Sequence, residues 1–186
     1  MAVRYDLVVH STTGELLTYL ERNRATLRAA VDDVPAPQRQ TRPAPDRWSA
    51  AEVLEHLAIV EKRIAGRLSE AIAAAKANAA EPSTDIAPID ERFARLLLNR
   101  RRRVTSAPAS QPTGTLDVTA AWAELEVARA SIIDLVHQSD GLALADPLVP
   151  HPVFGSLTFR QWIVFLGGHD ARHADQIREI TTALKT

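Results

Sequence analysis

The sequence predicts an all-α protein that folds as a four-helix bundle, with an extra short helix in the connection between the second and third main helices. Ala and Arg are abundant and the chain has only 7 Gly, a composition that favours helix throughout. Apolar residues recur at helical spacing in four long segments, and prolines cluster between those segments. Four long amphipathic helices imply a bundle. The length of 186 residues suggests a single domain, residues 1–186, with a core of useful size.

The charge balance and the absent residue types exclude several function classes. The net charge is -1, which gives no global field favouring nucleic acid or an acidic membrane. The chain has no Cys, which excludes disulfides, thiolate chemistry from the protein itself and Cys-type zinc sites. Residues 1–15 contain no apolar run long enough for a signal peptide or a membrane span. We therefore expect a cytoplasmic protein with no nucleic-acid or membrane partner.

The first two main helices have recognisable start signals. The first is predicted to begin near Thr12, whose hydroxyl can cap it, and to end before Pro35. The second has the clearest start in the chain, because Ser49 and Glu52 form a Ser-x-x-Glu capping box. It is predicted to run to about residue 80. Its apolar stripe consists of Val53, Leu57, Val60, Ile64, Leu68 and Ile72.

The rest of the chain holds three further predicted helices. A short helix spans 90 to about 103, inside the proline-rich connection. The third main helix spans about 119–138, with an apolar side at helical spacing. The last helix is capped by Ser156 or Thr158 and runs to about Leu184.

A histidine pair near the C-terminus is the most informative feature of the chain. His169 and His173 stand in the sequence His-Asp-Ala-Arg-His, so they lie one turn apart on the same helix face. Unsatisfied buried polar groups are costly, so two imidazoles in a core need partners. One metal ion would satisfy both rings. The other residues of this stripe are apolar: Trp162, Leu166, Ile177 and Ile180.

His56 is the candidate for a third metal ligand. It falls on the apolar stripe of the second helix, one turn before Val60. Two facing helices of a bundle could bring it against His169 and His173. Three imidazoles with an open fourth position are typical of a catalytic metal site rather than a closed structural one. The remaining histidines are predicted to be exposed or to lie in loops: His10, His137 and His151.

The histidine pair also resembles the ligand motifs of two other classes of metalloprotein. The sequence HDARH resembles the zincin motif HExxH, but a zincin needs a further ligand well downstream. Only thirteen residues follow His173, and the acids among them, Asp175 and Glu179, share its helix. A ferritin-like di-iron site needs Glu three residues before each His, where this chain has Val53 and Leu166. The alternative that stays open is a set of ordinary core histidines hydrogen-bonded to their neighbours.

Acidic residues near the histidines are candidates for supporting roles. Asp170 follows His169 directly and points about 100° away from it on a helix. It could orient a ligand histidine or act as a catalytic base, and an ordinary exposed helix charge is the alternative. A metal-bound histidine needs an acceptor on its other ring nitrogen. The candidates for that acceptor are Glu52, Glu55 and Asp170.

Arginines suggest two kinds of binding. The run at 100–103 resembles a nucleic-acid contact, but the chain is not basic overall and no aromatic residues interleave with the arginines. A solvated helix face is therefore preferred there. Arg47 and Arg160 are candidates to bind a substrate carboxylate bidentately, although solvated surface positions are the preferred interpretation.

Two groups of residues carry a family resemblance. The first is Arg-Trp-Ser at 47–49, which leads to Glu52 and His56. The second is the segment 151–162, HPVFGSLTFRQW, which leads on to His169 and His173. Over nearly its whole length the chain resembles the DinB-like superfamily, especially the branch that includes bacillithiol transferases. The resemblance implies a four-helix bundle of an up-up-down-down-like type, often assembled as a homodimer.

The resemblance also implies a metal and a class of chemistry. The metal is a divalent ion, zinc or nickel most often and sometimes iron, held by His56, His169 and His173. We expect a metal-dependent enzyme that transfers a low-molecular-weight thiol cosubstrate to an electrophilic small-molecule substrate. A metal-dependent hydrolase and a non-catalytic, stress-related metal-binding bundle are the alternatives. A fourth position open to a cleft would favour an enzyme, and a sealed site or a fourth protein ligand would favour the bundle.

Overall fold

The structure, a computed structural model, describes residues 11–78, 89–99, 106–142, 144, 150–151 and 153–185. Helices dominate these residues, and two short strands pair as an antiparallel hairpin. Single 3₁₀ turns lie at Ala36–Gln38 and Pro108–Ser110. The helices are α1 (Ser11–Asp32), α2 (Ala50–Ala77), α3 (Glu91–Leu97), α4 (Val118–Gln138) and α5 (Phe159–Ala183), and the strands are β1 (Pro150–His151) and β2 (Gly155–Ser156).

The four long helices form the predicted bundle. Helix α1 packs against α5 and α4, and α2 packs against α4 and α5. Cross-helix side-chain pairs give the relative directions. Lys62 bonds to Glu124 and Lys76 bonds to Gln138, so α2 and α4 run parallel. The connection between them, 78–117, is long enough to return along the bundle, which makes this parallel arrangement possible.

The other two helices run opposite to this pair. Thr13, at the start of α1, donates to Asp140 just beyond the end of α4, so these helices are antiparallel. Arg47, just before α2, lies 3.7 Å from Glu179 near the end of α5, so these helices are antiparallel as well. In chain order α1, α2, α4 and α5 therefore run up, down, down, up. The four-helix bundle is confirmed, and its directions are the implied up-up-down-down pattern shifted by one helix.

Capping boxes fix the starts of the two helices that carry the histidines. Ser49 accepts a bond from the backbone N–H of Glu52, whose carboxylate accepts from Ser49 N at 2.8 Å, as predicted. Thr158 caps α5 in the same way with Gln161, which decides between the two predicted caps. Burial alone would raise the pKa of Glu52, but bonds from Arg42 and Ser49 hold it below its ordinary value.

Helix bounds differ from the predictions at a few ends. Helix α1 already includes Thr12, so this residue lies within the helix rather than capping it. Helix α2 ends at Ala77, and residues 79 and 80 lie outside the described part. Helix α3 starts after Asp90, whose carboxylate caps it, and ends at Leu97, earlier than predicted. In the described ranges, none of the helices combines the length and the apolar character needed to cross a bilayer.

A layer of buried charge divides the apolar core into two clusters. Each long helix contributes one side chain to this charged layer. Arg24 Nε donates to Asp170 Oδ2 at 2.9 Å, and Arg129 Nη2 donates to the same oxygen at 3.0 Å. Both arginines also donate to Glu61. Two cations and two anions balance, which is the condition under which buried charges are tolerated.

The charged layer shifts the ionisation of its members. Burial raises the pKa of Glu61 above its ordinary value, although Arg129 and Arg24 oppose that shift. Burial alone would lower the pKa of Arg129, but Asp170 and Glu61 hold it above its ordinary value. The arginines therefore stay charged, and the layer ties all four helices together at mid-height.

Candidate metal centre

Helices α2 and α5 bring the three predicted histidine ligands together. His56, His169 and His173 each offer a ring nitrogen, and these atoms all lie within 4.8 Å of one another. The Nε2 atoms of His169 and His173 are 3.0 Å apart, as expected for residues one turn apart. The ring centre of His56 lies 5.3 Å from that of His169 and 5.0 Å from that of His173.

Hydrogen bonds orient two of the rings. His56 Nδ1 lies 2.6 Å from the carbonyl oxygen of Ser110, which can only accept. The proton of His56 is therefore on Nδ1, and Nε2 carries a lone pair. His173 Nδ1 lies 2.8 Å from the amide oxygen of Gln176, which gives the same result. Acceptors of this kind fix the tautomer and orientation of metal-binding histidines.

The acidic residues predicted to supply these acceptors lie elsewhere. Glu52 caps α2, and Glu55 accepts the backbone N–H of Thr113 at 2.9 Å. Asp170 belongs to the charged layer. The backbone carbonyl of Ser110 could not be found from sequence, because every residue has such a group and only the fold selects one.

Asp170 faces away from the histidines. It is 0% exposed, is absent from the cavity lining and bonds to Arg24 and Arg129. The side chain of Asp170 points away from that of His169, as helix geometry predicts, but it points into the core rather than into solvent. The interpretation as an ordinary exposed charge is therefore wrong. Its predicted role as a base gains no support from this location.

The environment favours the neutral, metal-binding form of His56 and His169. Burial lowers the pKa of His56, and the Ser110 carbonyl offsets part of that effect. Burial, followed by the charges of His173 and His56, holds the pKa of His169 well below its ordinary value. Neutral imidazole is the ligand form, so little proton competition is expected at neutral pH.

The ring nitrogens of this cluster lie close enough together to share one cation. His173 Nε2 lies 3.0 Å from His169 Nε2, and without a metal a proton on His169 Nε2 makes this contact a hydrogen bond. His169 Nδ1 is buried and has no hydrogen-bond partner among the described residues. Three clustered imidazole nitrogens form a donor set that suits zinc, nickel or iron. The residues present therefore fit a divalent metal.

The centre opens into a cavity of about 1070 Å³ that all three histidines line. Trp48 lies against His56 with ring centres 4.9 Å apart, and Phe165 stacks on His169 at 5.0 Å. Within the described ranges, no carboxylate or further histidine joins the three ligands as a fourth member. The geometry is that of an accessible centre with apolar walls.

His151 also lines this cavity, which the sequence did not predict. It is half-buried in β1, and its Nδ1 accepts from the backbone N–H of Val153 at 3.1 Å and of Phe154 at 3.3 Å. Its proton is therefore on Nε2. Burial lowers the pKa of His151 to about 4, so the ring is neutral at physiological pH. The HPVFG motif was the sequence signal for this hairpin, because its glycine, Gly155, takes a φ of 73° at the turn.

The other candidate residues that the structure describes do not join the three histidines. His137 is exposed, as predicted. His10 and the arginines at 100–103 lie outside the described residues. Arg47 lines the cavity but lies close to Glu179, and Arg160 is not part of the lining.

Comparisons with known proteins agree with this architecture. The family model of the DinB superfamily matches residues 19–177, which include all three histidines. The chain belongs to the DinB superfamily. This DinB protein is 29% identical over 144 residues to the uncharacterized protein YuaE of Bacillus subtilis (strain 168), a match that covers 75% of this chain and 80% of YuaE.

A solved structure supports the fold of this DinB protein. The crystal structure of TT2238, described as a four-helix bundle protein, superposes with a TM-score of 0.55 at 23% identity. The match covers 90% of this chain and 99% of TT2238. At that identity the likeness concerns the fold alone. The family-model match confirms the resemblance to the DinB-like superfamily that the two sequence motifs indicated.

Proposed function

We propose that this DinB superfamily protein is a metal-dependent enzyme that transfers a low-molecular-weight thiol to an electrophilic small molecule. The observation that carries the proposal is the cluster of three imidazoles at the wall of an open cavity. His56, His169 and His173 would hold the ion, with zinc or nickel the expected metals and iron a further option. A divalent ion held there supplies Lewis acidity, which lowers the pKa of a thiol or water.

The chain itself prepares the site for a thiolate. An imidazole that binds a metal does so in its uncharged form, so nothing in the proposed ligand set would offset the positive charge that favours an anionic sulfur. Trp48 and Phe165 cover the faces of two ligand rings with apolar surface. Exclusion of water strengthens electrostatic interactions inside a site. The Nε2–H of His151 is a hydrogen-bond donor on the cavity wall, available to a substrate oxygen.

Access to the centre favours an enzyme over a passive metal-binding bundle. A structural or storage site is expected to be sealed or completed by a fourth protein ligand. Here the described residues offer three ligands, and those ligands line a cavity large enough for a small molecule. The same opening would admit water to a hydrolase, so the reaction has to be decided by experiment.

The test is a thiol-transfer screen with the zinc- and nickel-loaded protein. Cysteine, glutathione, coenzyme A and bacillithiol are combined with monobromobimane, and p-nitrophenyl acetate without thiol tests hydrolysis. We expect thiol conjugation that a chelator abolishes and that His56→Ala removes, while the exposed-residue control His137→Ala keeps it. Conjugation that ignores the chelator, or ester cleavage as the sole reaction, would contradict thiol transfer.

We also propose that the protein forms a homodimer. Val127, a large apolar side chain on α4, is 63% exposed, and a second copy packed against α4 would cover it. Sedimentation equilibrium would give twice the chain mass of 20.4 kDa for a dimer. A monomer mass at micromolar concentration would refute this part of the proposal.

A further inference from the structure

One face of α2 connects the metal centre to a pair of arginines. His56, Val60, Arg63 and Arg67 follow one another at spacings of four, three and four residues, so they share a stripe. All four line the cavity. At 1.5 Å per residue, Arg63 and Arg67 lie about 10 Å and about 16 Å further along the helix than His56. The cavity therefore has a metal-binding part and a cationic part.

The two arginines keep their charge uncompensated. Arg63 donates to the hydroxyl of Ser110 at 3.1 Å, which is a neutral acceptor. Neither Arg63 nor Arg67 has a carboxylate within 4.0 Å in the part of the chain that the structure describes. The acids of the cavity lining, Asp46 and Glu179, lie at the opposite end, beside Arg47. Arg63 and Arg67 thus add positive charge to one end of the cavity, in a chain with a net charge of -1.

Apolar side chains line the space between the two ends. Val60 and Ile64 lie on α2, and Phe154 and Trp162 contribute aromatic surface to the same cavity. Such a wall suits hydrocarbon or aromatic groups and offers little to a fully polar molecule. The sequence of environments along the cavity is metal centre, apolar wall and guanidinium pair.

We propose that the cavity binds an elongated anion, with a carboxylate or phosphate at Arg63 and Arg67 and an apolar middle that extends toward the histidines. Guanidinium groups bind both of these anions bidentately, and a pair of them one turn apart can share one such group. Assigning the reacting end to the histidines rests on the proposed function. Anion binding by the arginines does not require the metal.

Octanoate is the probe, because it combines a carboxylate with an apolar chain of about 10 Å, comparable to the axial distance from His56 to Arg63. Octanamide is its neutral counterpart. Binding is measured by calorimetry and by the fluorescence of Trp48 and Trp162 in the cavity lining. The test variant is Arg63→Gln/Arg67→Gln. The control Arg22→Gln/Arg178→Gln removes two exposed arginines that do not line the cavity.

We expect octanoate to bind roughly tenfold more tightly than octanamide, as charge-assisted hydrogen bonds contribute. The test variant should lose that preference, the control should keep it, and Arg63→Lys/Arg67→Lys should retain part of it. Added salt should weaken the binding of octanoate and leave the binding of octanamide unchanged. Equal binding of octanoate and octanamide, or full octanoate binding by the test variant, would overturn the proposal.

A second measurement separates this proposal from the proposed function. Cobalt-loaded protein is titrated with 8-mercaptooctanoate, whose thiolate gives a charge-transfer absorption when it binds the metal. We expect the absorption in the wild type and its loss in His56→Ala, which should still bind octanoate. Octanoate binding without thiolate absorption would refute the proposed function alone. If the thiolate absorption appears but octanoate binds no better than octanamide, the anion site alone is refuted.

Discussion

At the candidate metal centre, hydrogen bonds at Nδ1 decide what His56, His173 and His151 can do. The Ser110 carbonyl places the proton of His56 on Nδ1, and Gln176 does the same for His173. The two Nε2 lone pairs are then available to a metal. In His151 the backbone N–H groups occupy Nδ1 instead, which makes its Nε2 a donor. Two histidines are thereby set up as ligands and one as a hydrogen-bond donor.

The buried histidines are expected to make the metal-free protein sensitive to acid. Their ordinary pKa is 6.5, and burial lowers it for His56 and His169 in the folded chain. Between the folded and the unfolded pKa the unfolded chain binds more protons, so stability rises with pH and falls on acidification. The loss is about 1.4 kcal/mol per pH unit for each fully buried histidine. Urea unfolding at about pH 7.5 and about pH 5.5 measures it.

The control for this pH dependence is His56→Gln. This variant has one fewer buried titrating ring, so its stability should change less between the two pH values. Because Glu61 and other acids are present in both proteins, the difference between them isolates the histidine. Equal pH dependence of stability in the two proteins would contradict a lowered pKa of His56 in the folded chain.

Sequence predicted the clustering of the three histidines better than their surroundings. His56 was found because it lies on the apolar stripe of α2, and such a stripe predicts which side of a helix faces the core. His151 was missed because a two-residue strand in a proline-rich segment has no periodic pattern. Asp170 points away from His169 as predicted, but its interpretation as an exposed charge was wrong. Its partners Arg24 and Arg129 come from distant segments, and spacing within one helix cannot reveal them.

At the scale of the elements, α2 and α5 depend on local start signals and close approach. Both begin with a capping box, and both carry ligands within a few turns of the cap. Helix α5 also approaches its neighbours at two glycines. A Cβ at Gly167 would lie 2.4 Å from the ring of Tyr19 on α1, and one at Gly168 would lie 2.6 Å from Leu97 on α3. These two glycines therefore allow α5 to pack closely against α1 and α3.

Removal of either cap should destabilise the bundle. Ser49→Ala and Thr158→Ala each leave helix N–H groups without a side-chain acceptor, at an expected cost of about 1 kcal/mol. Thr18→Ala is the matched control, because Thr18 is exposed within α1 and bonds only to Gly14 O one turn earlier. Its effect should stay within about 0.5 kcal/mol. Thermal and urea unfolding measure all three, and equal values for caps and control would contradict the capping account.

The long helices were predictable because periodicity and caps act over neighbouring residues. The bounds of α4 and α5 differ from the predictions by about one residue, within the usual uncertainty of helix ends. Helix α3 was predicted too long, since composition after Leu97 still favours helix while the structure ends the helix there. The directions of the helices depend on the long connections, whose course no local pattern encodes.

At the scale of the whole molecule, the charged layer ties the four helices together. Arg24, Glu61, Arg129 and Asp170 come from four different helices and lie between the two apolar clusters. Asp170 is the neighbour of His169 in sequence, so the layer also fixes the part of α5 that carries the ligands. We infer that its main contribution is positional, in contrast to the predicted role as a base.

Asp170→Asn should destabilise the protein strongly. The change leaves Arg24 and Arg129 with a single carboxylate, and breaking a buried ion pair from one side costs about 3–5 kcal/mol. The matched control is Asp175→Asn on the same helix, whose partner Arg178 lies on the surface. That change should cost less than about 1 kcal/mol. Urea unfolding measures both.

The same variant separates the two roles of Asp170. If Asp170 acts by positioning, Asp170→Asn should lower the free energy of unfolding and leave the metal content per folded chain unchanged. Unchanged stability together with loss of thiol conjugation would instead support the role as a base and contradict our inference.

The central claim is that three histidines from α2 and α5 hold one divalent metal. Its most direct test is the metal content of purified protein, measured by inductively coupled plasma mass spectrometry after equilibration with zinc or nickel and removal of free ions. We expect about one ion per chain in the wild type and in His137→Ala, and strongly reduced content in His56→Ala and His169→Ala. The same metal content in all four proteins would contradict the account.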